Sequence, residues 1–362
     1  MKTITFLLPN SNSHRPIGGL KVVYEYANRL VNDGFIVNII YPRHTPLIGK
    51  DIKTFFKNLY IKINALLKSR KVKTNFKEKS WFQLDSRVNE ISTWDYSEKN
   101  VPKSDIYIAT MYNTAIALDK YRTKAEKYYL IQCFENFFIS DEEFLSTLKL
   151  DLKNIAICEW LGNYCIQMGN PAKILYNGFD FEYFRLITPI EDRNPFHFSM
   201  MYNPDPWKGF NEAFEAVKIC KNKYPEIKVS IFGRDERPNF LPNWVNYFQK
   251  PNQEEHNEIY NNSSIFIIGS HNEGWGLPVG EAMQCGCAIV GTDIGGFRPM
   301  CIPNETALLS PVSDIDKMVE NIEFILKKPN ERIRLAKNAN NHIQSFTWDK
   351  SYSKLKSIIF EN

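Results

Sequence analysis

At 362 residues the chain exceeds what a single hydrophobic core usually supports, so two domains of ordinary size are expected. With 43% hydrophobic and 24% charged residues and no run of eighteen apolar residues, its composition is that of a soluble protein and excludes a spanning helix. A net charge of +4 is too weak to point to nucleic acid as a partner, and seven cysteines without a Cys-x-x-Cys pair argue against both a disulfide framework and a zinc site.

The opening MKTITFLLPN has only a short apolar stretch with no small-residue cleavage site, so it is expected to be a first strand and not a signal peptide, and a cytoplasmic location is expected with it. Leu20, Val23, Tyr24, Ala27, Leu30 and Val31 then share one helical face, Gly34 ends that helix, and FIVNIIYP is the next strand. Residues 50–79 interrupt the alternation. Their apolar side chains fall at helical spacing, and ten Lys and Arg against two acids give +8, more than the charge of the whole chain. Two readings stay open for this stretch: a helix packed on the first domain with a solvated lysine face, or contact with an acceptor or an anionic membrane surface.

Further strands are expected at DIYIATM, YYLIQ, NIAIC and AKILYN, spaced as a doubly wound parallel sheet requires. The end of DIYIATM offers Tyr112 and Asn113, and YYLIQCFENFF sets Gln132, Glu135 and Asn136 among aromatic rings. Such mixed surfaces suit sugars, and aromatic core packing with incidental polar neighbours explains the same residues equally well. Two prolines and mixed charge mark a linker around 182–195, after which FHFSMMY, KVSIFG, SIFIIGS and AIVGTD form a second strand series.

Between SIFIIGS and EAMQCG lies HNEGWGLPVGE, a loop at a strand's carboxyl end that opens a helix, where ligands of open α/β sheets bind. Pro278 suits the first helical turn, the glycines permit close backbone approach, and the helix N-terminus favours an anion such as phosphate. Glu273 and Glu281 flank this site, and ionised carboxylates accept hydrogen bonds from vicinal hydroxyls. Two acids around a phosphate site suggest a sugar nucleotide; for either glutamate alone, a helix-capping or surface role is the other reading.

This motif, with AIVGTDIGGFRPM and TALLSPVSD after it, resembles the retaining glycosyltransferases of family 4. IGGLKVVYEYANRLVNDGFIVNIIYP, ILYNGFDFEYF, WKGF and FTWDKSY extend the resemblance in order over nearly the whole chain. It implies the GT-B fold, two Rossmann-like doubly wound α/β domains facing across a cleft. Residues 1–185 would be the acceptor-side domain, with the helix 346–362 crossing back onto it, and 186–345 the nucleotide-sugar domain. By the same resemblance Glu273 serves the donor sugar hydroxyls, and the amides of Gly274, Trp275, Gly276 and Leu277 serve the sugar or phosphate. Glu281 serves the ribose, Lys208 neutralises the diphosphate, and Gly18 and Gly19 close on the phosphates. Arg234, after a strand, is a further donor-side candidate, and Tyr112, Asn113, Gln132 and Glu135 are acceptor-side candidates.

Three positions depart from the family pattern. An arginine is expected about five residues before Lys208, where Tyr202 and Asn203 stand, leaving Arg234, Arg298 or His14 as substitutes. A histidine is expected near the reacting carbon, and His14 is the better placed of the two in the first domain. Pro299 replaces an acid after IGG. The implied activity is transfer of a hexosyl or deoxyhexosyl unit from a nucleoside-diphosphate sugar to a glycan or lipid-linked glycan. Retention is expected without a protein nucleophile, a cofactor or a metal, in surface polysaccharide assembly at or near the inner membrane face. The alternative is a catalytically degenerate GT-B protein that binds glycan or nucleotide sugar.

Overall fold

Apolar runs separated by amphipathic helices give two parallel sheets in this computed structural model, which describes residues 1–9, 17–43 and 81–360. His14 and the basic stretch 50–79 lie outside the described residues. Among the described residues no helix is long and apolar enough to cross a membrane. The chain divides into two units, Met1–Tyr176 with Tyr352–Asn362, and Asn177–Ser351.

In the first unit, β1 (Thr3–Leu7), α1 (Gly18–Asn32), β2 (Ile36–Pro42), β3 (Asn89–Thr93), β4 (Ile106–Ala109), α2 (Tyr112–Asp119) and β5 (Glu126–Ile131) follow in order. They are succeeded by α3 (Asp141–Thr147), β6 (Lys153–Ala156), α4 (Glu159–Gln167) and β7 (Lys173–Ile174). The seven strands run in the order β3-β2-β1-β4-β5-β6-β7, every neighbouring pair parallel. All four residues of β4 are buried. Successive side chains point to opposite faces, so such a run requires both faces of the sheet to be covered. Helix α1 buries Val22 and Tyr26 besides the six expected positions.

The second unit contains β8 (His197–Tyr202), α5 (Phe210–Lys223), β9 (Lys228–Gly233), β10 (Val245–Gln249), α6 (Gln253–Asn261), β11 (Ile265–Ile268) and α7 (Leu277–Gln284). Then come β12 (Ala288–Thr292), β13 (Ala307–Ser310), α8 (Ile315–Lys327), α9 (Pro329–Ile343) and α10 (Trp348–Phe360). Its six strands are ordered β10-β9-β8-β11-β12-β13, again all parallel. Three strands, β3, β10 and β13, have no counterpart among the strands expected from sequence. All three are sheet edges: β3 and β10 have largely unburied sequences, NEIST and VNYFQ, that no apolar run marks, and β13 is buried but only four residues long, ALLS, within the TALLSPVSD motif. At the opposite edge of the first sheet the AKILYN run shrinks to the two residues of β7.

Helix α10 begins in the second unit, and from Tyr352 onward it belongs to the first. Asp33 accepts from Tyr352 Oη at 2.8 Å and from Lys356 Nζ at 2.7 Å, and these two bonds hold its carboxyl below the usual range. Phe360 stacks on Phe35 with ring centroids 4.7 Å apart, and Leu355 and Ile359 are buried. Leu355→Ala should therefore cost about 2–5 kcal/mol in denaturant unfolding. Exposed Lys350→Ala should stay within about 0.5 kcal/mol of wild type.

Candidate functional site

A doubly wound sheet leaves a crevice where the strand order reverses, outside the carboxyl ends of the two strands that flank the reversal. In the second unit those strands are β8 and β11. The loop after β8 forms an Asx turn, Asn203 Oδ1 accepting from Asp205 N at 2.9 Å, and then a single 3-10 turn over Pro206–Lys208. Gly209 follows at φ 55° and leads into α5. A Cβ on Gly209 would fall 1.8 Å from the carbonyl oxygen of Gly269, just past β11, so only paired glycines let the two loops touch.

That approach is pinned by His271 N donating to Trp207 O at 2.8 Å. It brings Lys208 Nζ within 2.7 Å of Glu273 Oε1, the two side chains being 22% and 14% exposed. The same carboxylate oxygen accepts from Ser270 Oγ at 3.1 Å, and Ser270 is fully buried. Beside them His271 Nε2 lies 3.1 Å from Glu212 Oε1 and 3.5 Å from Ser313 Oγ. Ser270, His271 and Glu212 were not singled out from sequence. Ser270 stands two residues past the end of β11 and His271 begins the two-glutamate motif, so position relative to the strand was the available signal.

Past Glu273 the chain packs against the loop after β12, where a Cβ on Gly296 would be 2.1 Å from Glu273 O. Gly276, at φ 83°, caps α7, and Pro278 sits in its first turn as expected. Trp275 is 4% exposed, its ring packed on Phe179 and Phe346, with centroids 6.2 and 5.6 Å away. Any donor contact of Trp275, like those of Gly274 and Leu277, therefore falls to its backbone. Glu281 is 9% exposed on α7, where Tyr260 Oη donates to it at 3.5 Å. Arg234 stands at the carboxyl end of β9, 52% exposed and paired with Asp235, and Arg298 pairs with Asp293 at 2.5 Å. Neither is bonded to Lys208 or Glu273 in the described contacts. Among the described residues no group of three or more His, Cys, Asp or Glu could hold a metal ion.

In the first unit the order reverses between β1 and β4. Gly18 and Gly19 open α1 after β1, and a Cβ on Gly19 would meet Gln132 Nε2 at 3.3 Å, so the loop after β5 lies against the start of this helix. Gln132 Oε1 is buried without a hydrogen-bond partner among the described residues. Glu135, 1% exposed, accepts from Tyr112 N at 2.7 Å and from Tyr129 Oη at 3.5 Å, and so caps α2 from the next loop. Tyr112 is itself buried; Asn113 is partly exposed and its Oδ1 accepts from Thr114 N. The structure thus gathers Gly18, Gly19, Tyr112, Gln132 and Glu135 at the carboxyl ends of central strands, with Glu135 turned inward.

Burial pushes the Glu135 carboxyl up to about 8, against the downward pull of its two hydrogen bonds. Because the folded value lies above the ordinary 4.5, the neutral acid's contribution is complete below about pH 4.5 and is lost as pH rises through about 8. Glu135→Gln stays uncharged and should gain in melting temperature relative to wild type between pH 5 and about pH 9; a constant difference across that range would refute the assignment.

Residues 190–342, from the segment before β8 to the end of α9, match the family model described as glycosyl transferases group 1. The D-inositol 3-phosphate glycosyltransferase of Saccharomonospora viridis is 30% identical over 104 residues, which are 28% of this chain and 24% of that protein. The chain spans less than half the length of the curated relatives it matches. Sucrose-phosphate synthase from Thermosynechococcus elongatus superimposes with a TM-score of 0.72 at 14% identity, covering 99% of this chain and 98% of that one. Anabaena HepE, solved in complex with UDP-glucose, gives 0.71 at 14% identity with 99% of both chains covered. The chain has the GT-B fold, and the group 1 match falls on the unit that carries Lys208, Glu273 and Glu281.

The glycine contact gives a direct test. Gly209→Ala should destabilise by about 2–4 kcal/mol through its clash with Gly269. Gly34→Ala, left-handed at φ 85° with nothing within 4 Å of the added carbon, should cost only about 1–2 kcal/mol. Equal losses in urea titrations would show that conformation, not contact, sets the requirement.

Proposed function

We propose that the protein is a retaining glycosyltransferase that moves a hexosyl or deoxyhexosyl unit from a nucleoside-diphosphate sugar to a glycan or lipid-linked glycan acceptor. The observation that carries this reading is the meeting of Lys208 with Glu273 at the strand-order reversal, Glu273 lying three residues before Gly276, the N-cap of α7. A compact ammonium and the N–H groups of a helix start each suit phosphate, and the carboxylate paired with that ammonium suits sugar hydroxyls. The group 1 match over the same unit and the UDP-glucose bound to HepE support that assignment.

In the reaction the acceptor oxygen bonds to the anomeric carbon as the carbon–oxygen bond to the diphosphate breaks. The acceptor proton passes to the departing phosphate on the same face, so the configuration is retained and no protein nucleophile takes part. Lys208 Nζ and the first turn of α7 stabilise the negative charge that grows on the leaving group, so no metal is required by this scheme. Glu273 holds the sugar hydroxyls, Glu281 the ribose, Arg234 the base or phosphate side, and Gly18 and Gly19 the phosphates. His14 completes the reacting side, and Tyr112, Asn113, Gln132 and Glu135 mark the acceptor side, with Gln132 and Asn113 the groups able to touch a ligand. Action on the cytoplasmic face of a membrane, through residues 50–79, and a role in surface polysaccharide assembly complete the proposal.

A panel of UDP-, GDP-, ADP- and dTDP-sugars tests it by donor hydrolysis and transfer to glycan acceptors. Lys208→Ala and Glu273→Ala should each lower turnover by about a hundredfold or more with the melting temperature preserved. Wild-type rates in either variant would sink the assignment, and donor binding with no turnover in wild type would leave a binding protein.

A further inference from the structure

We propose that Glu273 selects against free nucleoside diphosphate by competing with it for Lys208, so that the site gives up its internal ion pair more readily for a complete sugar nucleotide than for the diphosphate alone. The inference rests on the roles just assigned to Lys208 and Glu273. What motivates it is that the two groups meant for different parts of the donor are bonded to each other at 2.7 Å, largely shielded from solvent.

The pairing is built in. The loops that bear Lys208 and Glu273 meet at Gly209 and Gly269 and are bonded through His271 N and Trp207 O, so the side chains start from anchored backbones. Ser270, the second donor to the same carboxylate oxygen, is buried, and its carbonyl accepts from Thr292 Oγ1 at 2.5 Å. A nucleoside diphosphate that draws Lys208 away leaves Glu273 with Ser270 as its remaining described donor and brings phosphate oxygens toward an uncompensated carboxylate. An intact donor replaces the lost ammonium with sugar hydroxyls, so both groups trade one partner for another. Penalising the partial ligand in this way discriminates without any additional attraction to the full one. After transfer the product has lost its hydroxyls, and Glu273 reclaims Lys208, which favours product release.

Calorimetric titration of the full chain with UDP, GDP, ADP and dTDP, and with the glucose or mannose conjugate of each, tests the proposal. For whichever diphosphate binds wild type, Glu273→Gln should tighten it about three- to tenfold and weaken its sugar conjugate. The gain should shrink to within about twofold when the same substitution is made in Lys208→Met, because the competed group is gone. Ser270→Ala should act in the opposite direction, weakening the free diphosphate about twofold or more, since the carboxylate depends more heavily on Lys208. Unchanged or weaker diphosphate binding in Glu273→Gln overturns the proposal. So does an equal gain with and without Lys208, which would be plain charge repulsion. Failure of every diphosphate and conjugate to bind wild type or variants at millimolar concentration would overturn the glycosyltransferase reading itself, an outcome separable from the other two.

Discussion

A backbone-to-backbone contact between Gly209 and Gly269 sets where the remaining parts of the second unit's site stand. The loops after β8 and β11 come from strands adjacent in the sheet but far apart in sequence, and their helices leave on opposite sides of the strand-order reversal. Two loops of ordinary side chains would be held apart there. With glycine on each, Trp207 and His271 bond through their backbones and Lys208 reaches Glu273. The chemistry of the site is thus conditional on a steric fact involving no functional group.

The two units treat a carboxylate in opposite ways. Glu273 keeps an ammonium partner and partial access to water. Glu135 is sealed inside the first unit with one amide and one phenol as its described donors, and desolvation overcomes both. Its service is to the start of α2. A residue type that looks equally suited to sugar hydroxyls in both places is available for that purpose in only one of them.

Much of this was legible in the sequence because central strands buried on both faces leave unbroken apolar runs, as FLL, IYIA and IFII do. The edge strands β3 and β10, largely unburied, carry no such mark, and the short β13, ALLS, gives too brief a run to stand out. The two-glutamate motif announced its loop and helix through Pro278 and its glycines, which act locally. What stayed hidden was set by tertiary approach. Trp275 faces Phe179 and Phe346 rather than a ligand surface, and Glu135 turns inward among the aromatic residues that had suggested a sugar platform. The partnership of Lys208 with Glu273 joins positions 65 residues apart, and no spacing rule records it.

The return of α10 to the first unit orders events during synthesis. Residues 177–351 form a contiguous unit, whereas the first unit needs Tyr352, Leu355 and Ile359, which the ribosome delivers only after all of the second. The first unit therefore cannot cover that apolar surface until the last helix exists, and its completion waits on the whole of the intervening unit.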